Sequence, residues 1–205
     1  MIRRRAVLAG AASLGIAARQ ARADDVMAAI DGLRRGGFVI FFRHGETGRV
    51  SYDRPTAVMG DCSTQRNLDA VGQAQVRQLG EDFKALRIPV GKVLTSEFCR
   101  CWQHAEAMFG KGGYTITDKL SLPPSFPAVT EADRKKSNAD LAAMLSEKPA
   151  AGTNTVLVSH GNNIQMLTGY NPGTQGEAVV FRPDGAGSYT RLVSVMPSDW
   201  TRARR

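Results

Sequence analysis

Two histidines in this 205-residue chain sit in matching surroundings. His44 follows Arg43 and opens the turn His44-Gly45-Glu46-Thr47, directly after the apolar run Phe38-Val39-Ile40-Phe41-Phe42. His160 lies in Ser159-His160-Gly161-Asn162-Asn163, directly after Thr155-Val156-Leu157-Val158. Arg100 stands four residues after Ser96, behind a third run, Lys92-Val93-Leu94-Thr95. Open α/β sheets place reactive groups in polar turns at the carboxyl ends of buried strands. Strands of one parallel sheet share that end, so Arg43, His44, Arg100 and His160 can converge in one pocket. Two guanidinium forks suit a dianionic phosphate. One imidazole can attack phosphorus, and the other can stabilise charge on the transferring oxygens. A single histidine is more often structural, but two in such turns with arginines alongside reverse those odds.

Positioning these groups requires alternating helices and strands. Val26, Ile30 and Leu33 have helical spacing over residues 25–35, and Gly36-Gly37 stop the run. The unbroken apolar run at 38–42 predicts a strand buried on both faces. Asp69 can cap a helix reaching Leu86, with Val71, Val76, Leu79 and Phe83 inward. Residues 92–95 predict a second buried strand, followed by a helix carrying Arg100, His104 and Met108. A short strand near 114–117, a three-proline loop at 121–130, a helix at 131–147 and a third buried strand at 155–158 follow. Residues 178–182 and 188–195 flank Pro183-Asp184-Gly185 as a terminal hairpin. The alternation predicts one three-layer α/β/α domain with a mostly parallel sheet. Phe38, Phe41 and Phe42 read as core, and His104 as structural.

The first 23 residues read as a signal peptide. Arg3-Arg4-Arg5 precede the apolar stretch from Ala6 to Ala18, and Ala21-Arg22-Ala23 offers a small-x-small cleavage site. The arginine pair followed by Val7 and Leu8 is similar to a twin-arginine signal. The expected mature domain is therefore 24–205, periplasmic or secreted, with no stable membrane insertion. The formal charge of +8 is accounted for by five arginines before residue 24 and three after residue 201. Residues 24–201 are neutral, which argues against nucleic acid as a partner. Export permits a disulfide. Cys99 and Cys101, two apart on a helix, are poorly placed to bridge each other. Cys62 is expected to pair with Cys99, with Cys101 as the other candidate. No histidine lies at ligand spacing from these cysteines, which disfavours zinc.

Taken in order, these motifs resemble the histidine phosphatase superfamily, also called phosphoglycerate mutase-like. Arg43-His44-Gly45-Glu46-Thr47 is the intact signature. Leu68, Gly72, Gln75, Leu79 and Gly80 match the helix after the first loop, with Asp69 replacing the usual Ser or Thr. Ser96 and Arg100 match Ser-x-x-x-Arg, with Glu97 where Pro is common, and Ser159-His160-Gly161 matches the second-histidine element. The resemblance spans about residues 37–195 and implies a phosphoglycerate mutase-like fold.

It further implies phosphoryl transfer to His44, with Arg43, Arg100 and His160 holding the phosphate, and no cofactor or metal. The proton donor is open. Mutase-like members carry a Glu after the Ser-x-x-x-Arg helix, where this chain has Leu120-Ser121-Leu122-Pro123-Pro124. The acid-phosphatase branch carries an Asp after the second histidine, where this chain has Asn162. Glu177, just before the hairpin, is the preferred donor, with Glu131 and Asp133 as alternatives. Gln65-Arg66-Asn67 can line the pocket or form a solvated turn. The expected activity is that of a metal-independent phosphomonoesterase acting through phosphohistidine on a small exported or envelope phosphate ester. The alternatives are a phosphohistidine-protein phosphatase and a non-catalytic module that binds a phosphate ligand.

Overall fold

A six-stranded sheet carries the site, and its central strand is the apolar run before His44. The structure, a computed structural model, describes residues 7–48, 57–123 and 126–205, with side chains from Gln20 onward. Arg3-Arg4-Arg5, Pro124 and part of the loop after the first motif therefore lie outside the described residues. The helices are α1 (Val7–Leu33), α2 (Ala70–Ala85), α3 (Cys99–Phe109), α4 (Glu131–Ser146), α5 (Gly161–Thr168) and α6 (Pro197–Ala203). The strands are β1 (Val39–Arg43), β2 (Val90–Thr95), β3 (Thr115–Ile116), β4 (Asn154–Ser159), β5 (Ala178–Pro183) and β6 (Tyr189–Val195). Their order is β3-β2-β4-β1-β5-β6. The first four are parallel, and the hairpin β5–β6 adds antiparallel to β1.

β1 is wholly apolar before Arg43 because both of its faces are covered. Ile40 and Phe42 pack with Val26, Ile30, Phe83, Met108 and Trp200 on one side. Val39 and Phe41 pack with Leu141, Leu145 and Ile164 on the other. This is the expected three-layer α/β/α arrangement. Burying each such side chain contributes roughly 1.5–3 kcal/mol relative to leaving it in water.

Three local readings need correction. Val71, expected to point inward, is 66% exposed. Gly72 takes the inward place on the first turn of α2, and the buried stripe is Gly72, Val76, Leu79 and Phe83. β2 is not buried throughout, since Gly91 and Lys92 are exposed. Its neighbour β3 pairs only with Leu94 and Thr95, so the first half of β2 is an open edge. The hairpin is followed by α6, which the sequence reading lacked. Trp200 of α6 is fully buried against Phe83, at 4.9 Å between ring centroids.

α1 runs unbroken through the expected cleavage site, and its inward residues Val26, Ile30 and Leu33 are buried. Among the described residues no helix is long and apolar enough to cross a membrane. Cys62 is bonded to Cys99, which ties the loop after the first motif to the first turn of α3, and Cys101 is buried and outside the disulfide.

Candidate active site

The parallel register brings the motif residues to one edge of the sheet. Arg43 lies beside Ser159, and Thr95 beside Val158. Just past the strand ends, the His44 amide donates to Ser159 O at 2.9 Å and the Ser96 amide to Val158 O at 3.0 Å. The first residues of the turns are thus stitched together by the sheet's own hydrogen-bonding pattern. His160 caps α5, and Arg100 lies in the first turn of α3. The positive ends of both helix dipoles adjoin the residues proposed to hold an anion.

His44 is buried, and its Nδ1 lies 2.9 Å from the carbonyl oxygen of Gly45. A carbonyl only accepts, so Nδ1 donates and Nε2 keeps its lone pair. Burial, and then the charge of Arg100, hold the His44 pKa well below 6.5, with Arg66 and Arg43 adding in the same direction. Neutral His44 is therefore the resting form at neutral pH. The His160 ring lies 5.5 Å from that of His44, centroid to centroid. Its pKa is also well below 6.5, from burial first and then from Arg100 and His44.

The arginines are braced individually. Arg43 donates to Pro172 O at 2.7 Å and to Gly173 O at 3.1 Å. Arg100 lies 4.5 Å over the Phe98 ring, and donates to Arg66 O at 3.3 Å and towards His160 Nδ1 at 3.4 Å. The Arg66 charge acts on both histidines, so this residue of the candidate rim belongs to the site. Its neighbours are structural. Gln65 Oε1 accepts from the Cys99 amide at 2.9 Å, and Asn67 donates to Cys62 O at 2.7 Å.

The turn itself is clamped from two directions. On one side, a Cβ at Gly72 would fall 1.9 Å from Glu46 O, and one at Gly45 would fall 2.5 Å from Val76 Cγ1. On the other, the Gly176 amide donates to His44 O at 2.9 Å, and Gln175 Oε1 accepts from the Thr47 amide at 2.6 Å. Gln75 joins the two sides, accepting from the Glu46 amide at 3.1 Å and donating to Gln175 O at 3.0 Å. Gln175 carried no sequence signal, because its partners are 128 and 100 residues away.

Glu177 is 1% exposed. Its carboxylate accepts from Tyr170 Oη at 2.5 Å and from the Thr174 amide at 3.2 Å, while its backbone oxygen accepts from the Arg43 amide. Burial lowers the Arg43 pKa, an effect opposed by the charges of Glu46 and Glu177. Glu131 is exposed and lies 3.8 Å from Arg134, whereas Asp133 lines a cavity of about 220 Å³ beside Ser121. Asn162 is exposed. His104 packs on Phe42 at 5.2 Å, with Nε2 3.1 Å from Met108 Sδ, and burial pushes its pKa down to about 3. It is a core residue, as expected.

The family model of the histidine phosphatase superfamily (branch 1) matches residues 39–122, the segment from β1 to just past Leu120. No curated protein matches the chain by sequence. Among solved structures, the protein histidine phosphatase SixA complexed with tungstate is similar at 19% identity and TM-score 0.56, over 79% of this chain and 98% of that one. A phosphoserine phosphatase from Entamoeba histolytica in complex with 3-phosphoglyceric acid is similar at 15% identity and TM-score 0.56, over 80% and 98%. A mycobacterial glucosyl-3-phosphoglycerate phosphatase complexed with VO3 follows at 14% and 0.53, over 77% and 98%.

Proposed function

We propose that the chain is a member of the histidine phosphatase superfamily, whose branch 1 model matches residues 39–122, and that it hydrolyses a small phosphate monoester through a phosphohistidine at His44, without a metal. The observation that carries this reading is the His44–Gly45 contact, because it leaves a buried neutral imidazole with Nε2 free to attack. Arg43, Arg66, Arg100 and His160 supply the charges and donors that a phosphoryl group needs around that nitrogen.

In the first step the Nε2 lone pair forms the N–P bond while the ester P–O bond breaks. The departing alkoxide takes a proton from Glu177 and leaves as an alcohol. Nδ1 keeps its proton, donated to Gly45 O, so the phosphorylated ring is cationic and is a good leaving group for the second step. In the second step water attacks phosphorus, Glu177 accepts its proton, and the N–P bond electrons return to Nε2. Glu177 is assigned the acid–base role because it is the buried carboxylate beside Arg43. Glu131 is solvated and lies beside Arg134.

The SixA likeness offers a phosphohistidine protein as a second substrate class, one whose leaving group needs little acid help. The buried Glu177 favours an ester. The Arg3-Arg4-Arg5 leader and the Cys62–Cys99 bridge support action of the mature chain, 24–205, in the periplasm or outside the cell.

The test is to trap the intermediate. Protein incubated with p-nitrophenyl phosphate in chelator and quenched in alkali should carry phosphate on the peptide containing His44. His44→Ala should lose both the phosphate and the turnover. A folded His44→Ala variant that keeps more than about a tenth of the wild-type rate overturns the assignment, since covalent catalysis supplies several orders of magnitude. Loss of activity in chelator with recovery on adding zinc or magnesium overturns the metal-free route.

A further inference from the structure

A run of hydrogen bonds leaves His160 on the side away from Arg100 and ends on a carboxylate that the mechanism above does not use. His160 Nε2 lies 3.1 Å from Ser96 Oγ, and Ser96 Oγ lies 3.2 Å from Ser121 Oγ. Ser121 Oγ donates to Glu97 Oε2 at 3.1 Å. Two backbone amides also donate into the run, Phe98 N to Ser96 Oγ and Glu97 N to Ser121 Oγ, each at 3.2 Å, and Cys101 Sγ lies 3.7 Å from His160 Nε2. His160 and Ser96 are buried, whereas Ser121 and Glu97 are half-buried.

Counting hydrogens gives the run one direction. A serine hydroxyl has one hydrogen to donate and two lone pairs, and an ionised carboxylate only accepts. The Ser121 hydrogen therefore goes to Glu97. Ser121 must then accept from Ser96, which commits the Ser96 hydrogen. The remaining contact, between Ser96 and His160, requires that Nε2 carry the N–H. Each serine then donates once and accepts twice. The other ring nitrogen agrees, because Nδ1 faces a guanidinium nitrogen of Arg100, and a guanidinium only donates.

We infer that Glu97 is a positioning residue: through Ser121 and Ser96 it holds the His160 proton on Nε2 and leaves Nδ1 to take a proton from an arriving phosphate monoanion. In that transfer the substrate O–H bond breaks and the Nδ1–H bond forms. Phosphate dianion and imidazolium then face each other, with the far side of the ring connected to the Glu97 carboxylate. The role of the phosphate rests on the function proposed above, whereas the placement of the proton does not. The imidazolium needs this support because burial, Arg100, His44, Arg66 and Arg43 all act against it. At the other end, Glu97 shares its cavity with Asp118, Lys119, Asp133, Lys136 and Asp140.

The test reads the tautomer directly. The chain has three histidines, so the ¹⁵N ring signals of His160 can be assigned by substituting His44 and His104. In ligand-free wild-type protein near pH 7.5, Nε2 should be the protonated nitrogen. In Glu97→Gln the amide can donate to Ser121, reversing the run and moving the proton to Nδ1. Ser121→Ala breaks the run and should also populate the Nδ1–H form. Turnover of an aryl phosphate should fall roughly 10- to 100-fold in Glu97→Gln, as for outer partners of other functional histidines, with Glu97→Asp closer to wild type. A wild-type proton on Nδ1, or a tautomer unchanged in both variants, overturns the inference. The ring signals do not depend on turnover. A tautomer that shifts in a protein unable to hydrolyse any ester would therefore sink the phosphatase reading and leave the relay standing.

Discussion

The carbonyl oxygen of Gly45 lies 2.9 Å from Nδ1 of His44, so the residue after the proposed nucleophile determines which imidazole nitrogen is free to attack. Because burial and Arg100 hold the His44 pKa well below 6.5, the reactive neutral form persists as the medium is acidified through 6.5. Once corrected for the substrate's own ionisation, kcat/KM should be level between pH 7 and 6 and should fall only at lower pH. An acid limb centred at or above 6.5 would contradict this reading of the site.

Stability should carry the same signature. His104 binds a proton in the unfolded chain below 6.5, but in the folded one only below about 3. Between those values the unfolded state holds the extra proton, so stability drops as pH falls, by about 1.4 kcal/mol per unit for this residue alone. Buried His44 and His160 act in the same direction. Urea unfolding of wild type and His104→Leu at pH 7 and pH 5 should show the difference moving in favour of the variant by about 2 kcal/mol. An unchanged difference would mean that His104 does not stay neutral in the folded state.

Glu177→Gln separates acid catalysis from pocket shape. An alkyl phosphate, with its poor leaving group, should slow by about 10² to 10⁴. p-Nitrophenyl phosphate, whose leaving group departs as a stable anion, should slow far less. Equal losses on both substrates would reduce Glu177 to a partner of Tyr170, and no loss on either would return attention to Glu131 and Asp133.

Gly72 is required where α2 meets the turn that carries His44, since a Cβ there would fall 1.9 Å from Glu46 O. Gly72→Ala should destabilise the protein by about 1–3 kcal/mol and displace the turn that holds His44, lowering kcat as well. The neighbouring Val71→Ala, on the exposed face, should stay within about 0.5 kcal/mol of wild type. Similar effects from the two substitutions would remove this docking from the account.

The Cys62–Cys99 bridge spans 37 residues, a loop whose closure in the unfolded chain corresponds to about 3 to 4 kcal/mol. Cys62→Ser should lose stability of that order, and the oxidised protein should yield one titratable thiol, from Cys101, only after unfolding. Three free thiols in protein isolated without reductant would contradict both expectations.

Local order was enough to predict that Arg43, His44, Arg100 and His160 lie together at one edge of the sheet. Each follows a run whose composition already marks it as a buried strand or the turn behind one, and parallel strands must end on the same side. The pairing of Cys62 with Cys99 and the inward stripe of α2 were likewise near the surface of the sequence, apart from Val71. There a glycine took the inward place that hydrophobicity alone assigns to valine. The remainder required the folded chain. Gln175 reaches Thr47, Gln75 reaches Gln175, and Trp200 reaches Phe83 across separations that no local pattern encodes. The same holds for Glu97, Ser121, Ser96 and His160, drawn from three segments of the chain. Periodicity records which face of an element avoids water, whereas a hydrogen-bond run depends on the positions of single atoms, which exist only once the packed layers have set the distances between them.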